Sequence, residues 1–393
     1  MDIVIQHLIP TLVKAFIDAQ KDGYYVRLRR RLSFTVHLGR LLELNAFIDS
    51  LKQFVTNAQT NETFIKFMAM LVESMTWLLE EGMSALAEVK KREKFQVSTD
   101  SQELLDTNQQ LPSTTTASAN DEQRANNAND EFDTQSIDQG HNVSEIPFQQ
   151  LERLCKSLTD AGLRTIQVVA TIAKIFGDII VDSPILLLQV TTSLNCCLEH
   201  LIGPRCLELK VSCFEKYNFD PKALLATTIM IYISLASFDT DTKEKIIHSV
   251  CNDTRYFKKT VFKKAFYIAS REELLSSKHL ETFSEIILLL EKTSDILNAE
   301  EKWLEEIWDE IPDEYKDPIM DNLMEDPVKL PTSGHIMDRK TIERHLMTEE
   351  FDPYNRMALK FTDLIPQDEL RLQIKEFVKK KRSHYSSQKL NTI

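Results

Sequence analysis

Residues 317–356 read DPIMDNLMEDPVKLPTSGHIMDRKTIERHLMTEEFDPYNR. Their polar residues recur at short steps. Asp317 and Met320 are three apart, Ser333 and His335 two apart, Asp338 and Thr341 follow at three-residue steps, and Asp352 and Asn355 are again three apart. These are the ligand steps of a small domain cross-braced by two zinc ions, yet none of these positions holds cysteine. Zinc needs four good N, S or O donors per site, and Met320, Ser333, Thr341 and Asn355 are poor ones, so no metal is expected. Asp, Ser, Thr, Asn and His can bridge loops with hydrogen bonds instead, some of them charge-assisted. The expectation is a polar network in place of a metal clip, each bond contributing about 1 kcal/mol net.

Working outward, Pro312, Pro318, Pro327, Pro331, Pro353 and Pro366 make up half of the chain's 12 prolines. Val328–Leu330 and His335–Met337 flank the turn Pro331-Thr332-Ser333-Gly334 and predict a hairpin. Asp338 suits the N-cap of a helix from Arg339 to Met347, with Ile342 and Leu346 on one face. Pro366 is placed to open a last helix that buries Leu370, Ile374, Phe377 and Val378. That helix ends in Lys379-Lys380-Lys381-Arg382, which suits a helix C-terminus electrostatically; a nuclear-import signal is the functional alternative. Residues 311–382 therefore read as a small α+β domain, and 383–393 as a flexible tail.

The rest of the chain is helical in pattern. Phe64, Phe67, Met68, Leu71, Val72, Met75, Leu78 and Leu79 recur at three- and four-residue steps among Glu62, Lys66, Glu73, Glu80 and Glu81, an amphipathic helix facing a core. Residues 1–95 form the first helical part. Residues 96–147 break the pattern. Ser, Thr, Asn and Gln fill 25 of these positions and Phe132 is the one aromatic, too little apolar surface to offset the entropy of ordering. This stretch reads as a disordered acidic insertion. Helical periodicity resumes at Phe148 and runs through 310. One late stripe is Leu280, Phe283, Ile287 and Leu290; a second is Trp303, Leu304, Ile307 and Trp308. Helices of this length joined by short turns suggest an α-solenoid, armadillo-like stack, although no sequence repeat marks it. The fold class is mainly α, with the small α+β domain at the C-terminal end.

Composition excludes several function classes. The chain has 393 residues and a net charge of −13. The insertion supplies ten Asp/Glu against Arg124 alone, a net −9, so the remainder carries −13 + 9 = −4. An acidic chain is a poor match for nucleic acid, which needs clustered Lys and Arg. A basic cluster at Arg27, Arg29, Arg30 and Arg31 reads as a solvated face. The longest uncharged runs, Ser183–Leu198 and Ala223–Phe238, fall short of the roughly 20 residues that span a bilayer and read as core helices. Cys155, Cys196, Cys197, Cys206, Cys213 and Cys251 are too few and too irregular for a disulfide scaffold. With His200 they read as core packing, not as a metal cluster. A reducing setting follows.

The segments Asp317-Pro318-Ile319-Met320, Asp326-Pro327-Val328, Leu330-Pro331, Ile336-Met337-Asp338-Arg339, Ile342 to Leu346, Asp352-Pro353-Tyr354-Asn355-Arg356 and Leu364-Ile365-Pro366 resemble U-box motifs in order and spacing. A U-box is a RING-like domain without zinc. Upstream, Cys196 to Lys210, then Glu215 to Lys222, resembles the helical core of ubiquitin conjugation factor E4, as does Phe64 to Glu81. The family's core is longer than residues 1–310, so the chain is expected to begin inside it, as a fragment or a short form.

This resemblance implies a ubiquitin ligase or chain-elongation factor that docks a ubiquitin-charged conjugating enzyme. Ubiquitin would pass to a substrate lysine with no covalent intermediate on this chain. The small domain agrees, having neither a cysteine nucleophile nor a Ser/His/Asp triad candidate. By motif, Ile319 and Pro353 would pack on the conjugating enzyme and His345 would line the same groove. Arg356 would be the linchpin that hydrogen-bonds both enzyme and ubiquitin, a task suited to a planar, multidentate cation. Asp317, Ser333, Asp338, Asp352 and Asn355 would brace the domain. Asp321 stands where many U-boxes carry an aromatic residue. The resemblance further implies ubiquitinated protein substrates, an AAA segregase as a partner, no cofactor, and residence in cytoplasm and nucleus. The alternative is a non-catalytic helical scaffold with a docking-only or decayed U-box.

Overall fold

The structure, a computed structural model, describes residues 37–56, 58–106 and 146–390, together with 11, 13, 14, 33 and 35. The chain groups into two compact units. One comprises Met1–Asp182 and Gln189–Leu290, the other Ser183–Leu188 and Glu291–Ile393.

The first unit is helical. It holds α1 (Asn45–Thr56), α2 (Ala58–Asp106), α3 (Phe148–Asp182), most of α4 (Pro184–Ile202), α5 (Pro221–Leu235), α6 (Thr240–Cys251), α7 (Lys259–Arg271) and the start of α8 (Ser277–Glu306). Starts are set locally. Asp220 caps α5, its carboxylate accepting from the Lys222 and Ala223 N–H groups at 3.1 and 2.9 Å, with Pro221 in the first turn. Asp239 caps α6 by accepting from Thr242 N–H at 2.7 Å. Neighbours then pack on one another: α2 on α3, α3 on α5, and α5 on α6 and α7. The α2 stripe is buried, with Phe64, Met68, Leu71, Val72 and Met75 all sealed from water. Each such side chain contributes roughly 1.5–3 kcal/mol of burial. Helix α3 kinks at Phe176, and a Cβ on the following Gly177 would sit 2.3 Å from the Phe238 ring. Buried polar groups are paired: Tyr232 donates to Asn195 Oδ1 at 2.7 Å and Asn195 donates to Asp253 Oδ2 at 2.9 Å.

Two expectations need correction. Helix α2 runs to Asp106, so residues 96–106 are helical although the composition has already turned polar; 107–145, the rest of that stretch, lie outside the described residues. The Arg27–Arg31 cluster lies outside them as well. Helix α4 is long and apolar enough, by length and composition, to cross a membrane, but 61% of that window is buried inside the fold.

The second unit carries a three-stranded antiparallel sheet in the order β2-β1-β3, built from β1 (Pro327–Lys329), β2 (Ile336–Asp338) and β3 (Ile365–Pro366). The hairpin pairs Val328 with Met337, and Gly334 takes a φ of 79° in its turn. Asp338 N-caps α9 (Arg339–Thr348), accepting from Lys340 N–H at 3.0 Å. Pro366 does not open the last helix. It lies in β3 opposite Val328, where its missing N–H costs the edge strand nothing, and α10 (Asp368–Leu390) starts two residues later. Val328, Leu330, Met337, Ile342, Leu346, Leu359 and Leu364 form one core. A second cluster joins Trp303, Ile307 and Ile311 to Tyr315, Leu323, Phe377 and Val378. The end of α8 therefore packs with this unit, whose longer segment starts at Glu291, well before the change in texture at Pro312.

Candidate functional site

The second unit contains one loop built twice. The first is closed by a bridge between Lys316 and Leu323, the second by a bridge between Phe351 and Ala358. Each starts Asp-Pro. In each, the Asp N–H donates across the loop mouth, Asp317 to Asn322 O at 2.7 Å and Asp352 to Met357 O at 2.8 Å. In each, the fifth residue donates back to the Asp carbonyl, Asp321 at 2.9 Å and Arg356 at 2.8 Å. That fifth residue takes left-handed backbone in both, with φ of 48° for Asp321 and 58° for Arg356. Neither is glycine, so the surrounding bonds must hold an uncommon conformation in place.

The two Asp side chains point inward. Asp317 is 1% exposed and Asp352 fully buried. Asp317 Oδ1 accepts from the Ile319 and Met320 N–H groups at 2.8 and 2.9 Å, and its Oδ2 accepts from Asp338 N–H at 2.8 Å. Asp338 in turn accepts from Glu325 and Asp326 N–H at 2.6 and 3.1 Å. The first loop, the strand entry and the start of α9 are thus tied by two carboxylates. Asp352 Oδ1 accepts from Tyr354 N–H at 2.8 Å, and its Oδ2 accepts from the Thr332 hydroxyl at the hairpin turn. Burial pushes the Asp352 carboxyl up, but the Thr332 bond, the nearby Ser333 hydroxyl and the Tyr354 and Asn355 N–H groups outweigh it and hold the group below its ordinary value. The His335 ring lies flat on Tyr354, 3.8 Å between centroids and 5° between planes. Burial first, then the Asp317 and Asp352 carboxylates, push the Tyr354 phenol up, so this side chain feels the anchors of both loops.

The network differs in detail from the expected one. Ser333 Oγ is buried near the Asp352 carboxylate and helps to stabilise it, but its neighbour Thr332 carries the direct contact. Asn355 acts locally, accepting from Met357 N–H at 2.9 Å. His345 is half-buried and turned inward, its Nε2 2.9 Å from Phe351 O and its ring edge-on to Phe351. The sequence reading missed Thr332 and the His335–Tyr354 stack. The repeated Asp-Pro openings were the available signal for a shared loop geometry.

What the loops expose is apolar. Ile319 and Met320 are 52% exposed, Tyr354 40% and Met357 57%, with Pro353 half-buried beside them. Arg356 is exposed, and among the described residues its guanidinium has no hydrogen bond or ion pair. Other charges in this unit are committed: Arg339 pairs with Asp326 at 2.7 Å, Arg371 with Asp368, and Lys381 with Glu310. The loops thus set exposed apolar side chains beside a cation with no partner among the described residues, and exposed apolar clusters are in general a feature of interaction surfaces. Three thiols of the first unit are poorly suited to covalent chemistry. Burial, then Glu152, pushes the Cys155 thiol up to about 12; burial pushes Cys197 up to about 11; burial and the Glu80 contact push Cys196 up as well. Such thiols are poor nucleophiles. Among the described residues no group of three or more His, Cys, Asp and Glu side chains could hold a metal ion.

Comparison with known proteins places both units. A family model described as the ubiquitin elongating factor core matches residues 1–291, and a U-box domain model matches 311–383. The chain is 30% identical over 387 residues to E4 ubiquitin-protein ligase UFD2 of Saccharomyces cerevisiae, an alignment covering 97% of this chain and 36% of that protein. It is 27% identical over 389 residues to ubiquitin conjugation factor E4 of Schizosaccharomyces pombe, covering 96% and 34%. It is 25% identical over 392 residues to ubiquitin conjugation factor E4 A of Bos taurus, covering 97% and 33%. The chain thus spans about a third of the length of these curated relatives. With a matching core over most of its length and a matching double-loop domain after it, this chain belongs to the ubiquitin elongating factor family and carries a U-box.

Proposed function

We propose that the two-loop face docks a ubiquitin-charged conjugating enzyme and promotes transfer of ubiquitin to a lysine, extending a chain or modifying a substrate. The observation that carries this is the pair of rigidly braced loops presenting Ile319 and Pro353 beside the uncommitted Arg356. In the reaction the lysine amine attacks the thioester carbonyl, the C–N bond forms, and the conjugating enzyme's thiolate leaves. This chain supplies no nucleophile. Ile319 and Pro353 fix the enzyme's position, and the Arg356 guanidinium hydrogen-bonds enzyme and ubiquitin so that the thioester is held ready for attack. Positioning and fixed charge lower a barrier without covalent chemistry. We assign His345 an indirect part, holding the second loop through Phe351 O.

Purified chain with activating enzyme, conjugating enzyme, ubiquitin and ATP is expected to build conjugates, and Ile319→Ala and Arg356→Ala to lose most of that activity while staying folded. Wild type as inert as Ile319→Ala across a panel of conjugating enzymes would favour the scaffold reading. An AAA segregase partner and residence in cytoplasm and nucleus rest on the family resemblance; co-purification and imaging of the tagged chain test them.

A further inference from the structure

The duplicated loops match in backbone and differ at their corners. At the fifth position one carries Asp321 and the other Arg356, both exposed and both fixed in left-handed backbone by a bond to the loop's own aspartate carbonyl. Among the described residues neither side chain has an ion pair or hydrogen bond. Asp321 follows directly on Ile319 and Met320, the exposed apolar pair of the first loop. The face therefore presents a fixed anion at one loop and a fixed cation at the other, flanking apolar side chains.

We propose that Asp321 is a specificity-determining residue: it selects conjugating enzymes that present a lysine or arginine to the first loop and disfavours those presenting an acidic group there. This rests on the docking reading above and refines it. The corner's backbone is held by its hydrogen bond to the Asp317 carbonyl, which confines the carboxylate to one end of the loop, where complementary charge controls partner choice and encounter more than total affinity. Among the described residues no cation pairs with the carboxylate, so the partner's charge must do so or leave it facing solvent.

The test is a binding titration of the full chain with a panel of conjugating enzymes at low and at about 1 M salt, where charge is screened within about 3 Å. Asp321→Asn is the primary variant, because Asn tolerates left-handed backbone best among non-glycine residues and only the charge is lost. The favoured enzymes are expected to bind Asp321→Asn about threefold to fivefold more weakly at low salt, and equally at high salt. Asp321→Lys should invert the order of preference, and should regain binding to an enzyme in which the facing basic residue has been changed to glutamate. A merely structural role would weaken binding at every salt concentration and show no such rescue, which would overturn the proposal. Ile319→Ala separates the two readings. If it abolishes binding while both Asp321 variants behave as wild type with every enzyme, selectivity by Asp321 is wrong and the docking face stands. If Ile319→Ala also binds as wild type, the docking face itself is wrong.

Discussion

The first and second loops of the U-box share a backbone and divide the labour. The first is bound into the domain: its Asp317 takes three N–H donors, one of them from Asp338 at the mouth of α9. The second is held by contacts of its own, from the Thr332 hydroxyl, the Tyr354 and Asn355 N–H groups, a ring stacked from the hairpin and His345 against Phe351 O. The second also carries Arg356, the residue assigned to the reaction. The lesson is that two loops of one backbone plan can be tied into a domain asymmetrically. Asp317 ties its loop to the strand and helix that follow, and Asp352 ties its loop to the hairpin turn.

That asymmetry makes Asp317→Ala the most damaging change. It strips a buried anion from three donors and leaves them unsatisfied, with an expected loss of about 3–5 kcal/mol. Hydrogen exchange should show lost protection in both loops and the hairpin. Asp352→Ala should open the second loop alone, at about 2–3 kcal/mol. Comparable loss of protection across both loops in Asp352→Ala would break the comparison.

Next come the exposed residues. Ile319→Ala should weaken conjugating-enzyme binding at least about tenfold, as truncating a central apolar anchor does. Arg356→Lys should leave binding near wild type and slow single-turnover discharge to lysine about tenfold to a hundredfold, since a point charge cannot replace the fork. Equal losses in binding and discharge would make Arg356 a docking contact.

Smaller is the pH effect. The Asp352 carboxyl is held below its ordinary value when folded, so its contribution is fully present above the unfolded carboxylate pKa of about 3.9 and disappears as pH falls through the lower folded value. The part of the second loop's exchange protection that Asp352 supplies should therefore fade in that acid range. The smallest effect expected is His335→Ala, which removes the stack on Tyr354 at about 0.5–1.5 kcal/mol, with His335→Phe restoring it.

Much of this fold was legible because its signals are local. Asp338 before an amphipathic run, Gly334 in a four-residue turn and the α2 stripe each specify their own element. What was missed depends on distant partners. β3 is two residues long and contains a proline, and nothing near it says that Val328 will be its neighbour. The break at Pro312 is plain in sequence, but Trp303 and Ile307 join the later unit through Leu323, Phe377 and Val378, a contact that no local pattern encodes. At the site, aspartates at ligand spacing pointed to a brace. Which of two adjacent hydroxyls, Thr332 or Ser333, meets Asp352 depends on the direction of one turn. The charge pair at Asp321 and Arg356 emerges only when the two loops are superimposed by their hydrogen bonds.

The central claim is that the two loops form one docking face for a ubiquitin-loaded carrier. Methyl-labelled full chain, titrated with a conjugating enzyme carrying ubiquitin on its active-site cysteine, tests it most directly. The account predicts saturable shifts at the Ile319, Met320 and Met357 methyls, and none at these sites in Asp317→Ala. Saturable binding that leaves those three methyls unmoved, or no binding by any enzyme tried, would contradict it.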